Sequence, residues 1–160
     1  MTDPTEQQKI ELTSILTYAG AIPFVLAALC MYWDFERLPF IGDVQKIIHL
    51  YGLVIVVFIA GSHWGLSVNL LDKQRVFLLS ISNFLTLAIF VSYIWLNSMP
   101  FELSLIAILL MLLMIDYWLF FKKINTQDYV LMRLIVSIIV IISLSFVYSS
   151  YSNNSGSPSF

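Results

Sequence analysis

Five stretches of this chain are apolar on every side, and each is about as long as a lipid bilayer is thick. They run from Leu12 to Trp33, Ile47 to Leu71, Val76 to about Ser98, Phe101 to Phe121, and about Tyr129 to Tyr148. A hydrocarbon core of about 30 Å takes about 20 residues at helical rise. Strands would alternate apolar and polar positions over about ten residues, and these runs do not alternate. A helix satisfies its own backbone polar groups inside lipid. The pattern therefore predicts an all-α integral membrane bundle of about five transmembrane helices, occupying residues 12–148 as one domain.

The segments between the runs are short. Asp34 to Lys46 is the longest, with turns marked by Pro39 and Gly42. A Ser98-Met99-Pro100 corner joins the third and fourth runs, and Pro23 interrupts the first. The small polar residues of 149–160, with Gly156 and Pro158, predict a disordered tail. Residues 1–11 lean acidic and lack the basic opening of a removable signal peptide, so the first run is expected to remain as a span.

Basic residues set the expected orientation. With five spans, the amino terminus shares a side with the second and fourth connections, which together hold Lys9, Lys73, Arg75, Lys122 and Lys123. The opposite side holds Arg37 and Lys46. The positive-inside rule then places the N-terminal segment in the cytoplasm and the C-terminus outside.

Composition narrows the class further. Hydrophobic residues make up 59% of the chain and charged residues 11%, against about 25% charged in ordinary soluble domains. The partner this implies is the lipid bilayer, and other membrane subunits fit the same surface. A net charge of -2 gives no basis for binding nucleic acid. The single cysteine, Cys30, leaves no internal disulfide framework.

Candidate chemistry is confined to a few intramembrane polar residues. Charges inside a membrane are costly and usually pair or face a polar cavity. Asp116 lies about 9 Å inside Lys122, and Arg133 about 7 Å inside Asp128, on adjacent helices. Matched depth predicts a salt bridge. His63, Asn83 and Tyr18 fall at about 12 to 13 Å from the same side. Two readings of these five residues stand: a structural network that fixes helix register, or a pocket open to the cytoplasm. Gly61-Ser62-His63-Trp64-Gly65 carries a small-xxx-small spacing suited to close helix packing, with Trp64 beside it. His63 is either a satisfied packing residue or a proton-responsive one. His49 and His63 stand fourteen residues apart, about 20 Å along one helix, too far to share a metal. No zinc or di-iron spacing is present, and no nucleophile–base pair or phosphate loop. No catalytic residue, metal site or cofactor is therefore assigned.

Tyr18-Ala19-Gly20-Ala21-Ile22-Pro23-Phe24 followed by Gly61-Ser62-His63-Trp64-Gly65 resembles the domain-of-unknown-function 3429 family, over roughly residues 12 to 148. The family's members are small multi-span proteins of bacteria and, in a transmembrane protein 69-like branch, of mitochondria. The resemblance implies a bacterial inner membrane, or a mitochondrial one in a eukaryote. It also implies an aspartate late in the fourth span and an arginine opening the fifth, which map onto Asp116 and Arg133. Asp128-Tyr129 departs from the tryptophan-tyrosine pair expected before that arginine. The family brings no activity with it. Two function classes remain: a structural or assembly partner of a larger membrane complex, or a transporter of protons or small solutes, or binder of lipid or quinone, using the cytoplasmic-side cluster.

Overall fold

A computed structural model describes residues 14–95 and 100–155. Five helical segments are long and apolar enough to cross a membrane: Ser14–Tyr32, Val44–Ser67, Lys73–Trp95, Phe101–Phe121 and Gln127–Ser152. Between 22% and 44% of each span's most apolar stretch is buried inside the chain. The remainder turns large side chains such as Phe58, Phe84, Met114 and Ile142 outward. Water would not tolerate that much continuous apolar surface. The chain is an all-α, multi-pass membrane protein.

It divides into two compact units, residues 36–112 and residues up to 35 with 113 onward. The first span belongs to the second of these. It consists of α1 (14–19) and α2 (Ile22–Tyr32), separated by a turn at Gly20 and Ala21. Pro23 has no N–H to give the Ala19 carbonyl, and the chain tightens just ahead of it, with Ala21 N–H donating to Tyr18 O at 3.0 Å. Ala21, Phe24, Ala27 and Met31 form the buried stripe. α2 packs against α6 (Gln127–Ser155), which buries Met132, Val136, Val140, Leu144 and Val147.

The other unit opens with a short antiparallel hairpin, β1 (Arg37–Leu38) and β2 (Gly42–Asp43). Gly42 sits at φ 110°, where a side chain would be strained. Asp43 then caps α3 (Val44–Ser67): its Oδ1 accepts from Gln45 N–H at 2.9 Å and Lys46 N–H at 3.2 Å. This cap starts the helix three residues before Ile47, the sequence-based boundary. α3 packs on α4 (Asp72–Trp95) and turns Val44, Ile48, Gly52, Val56, Ile59 and His63 inward. α5 (Phe101–Phe121) begins here. A Cβ added at Gly52 would lie 2.6 Å from Leu105 Cδ1, so the absence of a side chain brings α3 close to α5.

Two expectations change. The fifth helix does not end at Tyr148 but continues through Ser155. Residues 149–155 contain no glycine or proline, and adding a residue to a formed helix is easier than starting one. The disordered tail predicted from residue 149 is therefore helical as far as Ser155; residues 156–160 lie outside the described residues, as do residues 1–13 and Ser98-Met99 of the predicted corner.

Candidate functional site

The end of α5 and the start of α6 are joined by a turn whose hydrogen bonds follow from one strained residue. Lys123 adopts φ 57°. Its N–H donates to Phe120 O at 2.8 Å, and Ile124 N–H donates to Leu119 O at 3.0 Å. These two bonds close a helix C-terminus in the Schellman manner. Three residues on, Thr126 Oγ1 accepts from Tyr129 N–H at 3.3 Å and caps α6. The chain reverses within a few residues, which brings Asp116 and Arg133 together.

Arg133 Nε donates to Asp116 Oδ2 at 2.9 Å. Asp116 is 0% exposed and Arg133 7%. This is the ion pair expected from their matched depths. Two further groups hold the aspartate: Tyr129 Oη reaches Oδ1 at 3.5 Å, and Asn125 Nδ2 reaches its backbone carbonyl at 3.5 Å. Tyr129 stands one turn before Arg133 on the same face of α6. An arginine does not lose its charge in a protein, so the pair is a fixed, mutually neutralised one.

Of the remaining predicted residues, Tyr18 and Asn83 are exposed and His63 is buried. Tyr18 is 42% exposed. Asn83 faces outward from α4 and donates to Leu79 O of its own helix at 3.0 Å. An amide satisfied by its own backbone can point at lipid without a partner on another helix. His63 is buried on α3, one turn before Ser67, whose hydroxyl donates to Trp64 O at 2.5 Å. Pro23 is half-buried at the start of α2. Gly61, Ser62, Trp64 and Gly65 face outward around His63, with Trp64 49% exposed. A Cβ added at Gly61 or Gly65 meets nothing within 4 Å among the described residues. Among the described residues nothing fills the expected packing seam. Gly52 does meet a neighbouring helix closely, at Leu105.

Residues 10–149 match the family model described as protein of unknown function (DUF3429). The chain belongs to the DUF3429 family. No curated protein and no solved structure matches it.

This DUF3429 member has a second buried ionisable site that the sequence reading passed over. Glu102, in the first turn of α5, is 0% exposed. Gln45 Nε2 donates to its Oε1 at 2.8 Å, and His49 Nε2 lies 2.7 Å from the same oxygen, at ion-pair distance rather than in an aligned hydrogen bond. Phe101 covers the imidazole edge-on at 5.1 Å and meets Tyr93 at 5.3 Å. Depth matching would have found this pair too, because His49 and Glu102 begin spans that enter from the same side.

Proposed function

We propose that this family member is a non-catalytic membrane subunit that docks through α3 onto a transmembrane helix of a larger complex. The supporting observation is the open Gly61–Gly65 face. Two glycines one turn apart let a partner backbone approach closely, and the gain comes from van der Waals contact and Cα–H···O geometry rather than from excluding water. Trp64 beside them adds a broad ring for the partner to pack on. The occupant that suits this surface is an apolar helix with small residues at its own contact. The fixed charge pair, Asp116 with Arg133, suits a scaffold: it holds two helices in register and leaves no reactive group free. The orientation proposed is amino terminus in the cytoplasm and C-terminus outside, in a bacterial or mitochondrial inner membrane, from the basic-residue bias and the family resemblance.

Purification in mild detergent tests this reading. The parent protein should elute with a stoichiometric membrane partner. Gly61→Leu and Gly65→Leu should lose that partner while keeping the stability of the isolated chain. A parent protein that runs alone, or leucine variants that keep their partner, would contradict it.

A second reading has one observation in its favour. A groove of about 470 Å³ runs between α5 and α6, lined by Leu113, Met114, Tyr117, Val130, Leu131 and Leu134 among others. Its size suits an acyl chain or an isoprenoid tail. Native mass spectrometry separates the two readings: a single retained lipid or quinone, lost in Leu131→Trp, favours the groove.

A further inference from the structure

Two buried carboxylates among the described residues, Asp116 and Glu102, differ in one physical respect. Asp116 faces arginine, a permanent cation, whereas Glu102 faces an imidazole and an amide. Among the described residues no lysine or arginine stands at ion-pair distance from Glu102. With His49 neutral and Glu102 ionised, the site carries a whole negative charge inside a low-dielectric span. That is costly. One added proton removes the charge, whether the product is written as imidazolium with carboxylate or imidazole with carboxylic acid.

The geometry carries the same message. His49 Nε2 and Glu102 Oε1 are 2.7 Å apart. Two bare lone pairs would repel at that distance, and a proton taken up by either atom relieves the repulsion. Glu102 Oε2 is buried and has no hydrogen-bond partner among the described residues, so the carboxyl group keeps a second position that can take a proton. The side chain of His49 is 17% exposed, which gives the site an edge through which protons can enter and leave.

We propose that Gln45, His49 and Glu102 form a proton-binding site at the hairpin end of α3 and α5. Hydronium gives up one proton to the His49–Glu102 couple, leaving water, and the site passes from one negative charge to none. Gln45 holds Oε1 in place through its amide and leaves the titrating to the other two. The charged and titratable groups at the hairpin end of the surrounding elements are Glu36, Arg37 and Asp43 of the hairpin, Lys46 and Tyr51 of α3, and Tyr93 of α4; His63 of α3, Asp72, Lys73 and Arg75 of α4, and Asp116 and Tyr117 of α5 stand toward the other ends of their helices. Glu36, Arg37 and Lys46 are exposed, and Asp43 is engaged as the cap of α3. Tyr93 presents its ring to Phe101. His49 is the titratable group that stands at contact distance from Glu102. This goes beyond the docking role and does not depend on it.

The chain holds two histidines, so His63→Gln leaves His49 as the one histidine NMR signal. In the full-length protein in lipid nanodiscs, that signal should move with pH as the couple takes up its proton. Glu102→Gln should displace its midpoint by about one pH unit or more, a tenfold change in proton affinity. Equal midpoints, or a His49 that does not titrate, overturn the proposal. If Glu102→Gln fails to fold, the parent decides: an isotope-labelled Glu102 carboxyl must report the same midpoint as His49, and two independent midpoints overturn it.

Discussion

Arg133 follows Asp116 by seventeen positions, yet its Nε rests 2.9 Å from the aspartate's Oδ2 with both side chains almost wholly buried. A pair so placed is costly to break from one side. Asp116→Asn or Arg133→Gln should each destabilise the detergent-solubilised protein by about 3 kcal/mol, because each strands a buried charge. Asp116→Asn with Arg133→Gln should cost much less than the sum. Chemical unfolding of all three variants measures the coupling, and additive losses would show that the contact carries no energy.

Gly52 should be intolerant and Gly61 and Gly65 tolerant. Gly52→Ala places a methyl 2.6 Å from Leu105 Cδ1 and should cost about 1–3 kcal/mol by overpacking, partly recovered in combination with Leu105→Ala. Gly61→Ala and Gly65→Ala meet nothing within 4 Å among the described residues. They should leave the isolated chain as stable as before, or raise its stability by up to about 1 kcal/mol through helix propensity. Thermal unfolding in detergent gives the order directly.

Lys123 is a non-glycine residue at φ 57°. Lys123→Gly relieves that conformation and should stabilise the turn between α5 and α6 by about 0.5–1 kcal/mol, despite the added freedom of the unfolded chain. Lys123→Val should lower stability, since a β-branched side chain fits this region least well. Proteolysis at the α5–α6 turn should slow in the first variant and quicken in the second.

The hairpin end of α3 depends on Asp43. Asp43→Ala removes the cap of Gln45 and Lys46 and should cost about 0.5–2 kcal/mol. Amide exchange should rise first at residues 44–46. An increase spread evenly over α3 would count against a local cap.

The spans are legible in the sequence because lipid demands a long apolar run whatever the tertiary packing. The Asp116–Arg133 contact is legible for a related reason: intramembrane charges are rare, and two at one depth on helices joined by a short turn have few alternatives. Direction around the helix axis is much less legible. Lipid-facing and protein-facing surfaces are both apolar, so nothing in the spacing said that Gly52 packs inward while Gly61 and Gly65 face out. Tyr18 and Asn83 have suitable depth but point away from the chain's interior, and depth alone carries no azimuth. Glu102 escaped because a carboxylate in the first turn of a span reads as an end charge. Only its burial, with His49 and Gln45 around it, distinguishes it from one. The helical residues 149–155 escaped because polar composition resembles that of a loop, although no helix breaker precedes Gly156.

Everything rests on hydrocarbon surrounding the outward faces of these helices. The direct measurement is spin-label accessibility in reconstituted bilayers, with Cys30 replaced by serine and single cysteines at Phe58, Phe84, Met114 and Ile142, all outward-facing. Labels there should collide readily with dissolved oxygen and hardly at all with a water-soluble nickel chelate. Strong collision with the chelate at these four positions would contradict a membrane-embedded chain.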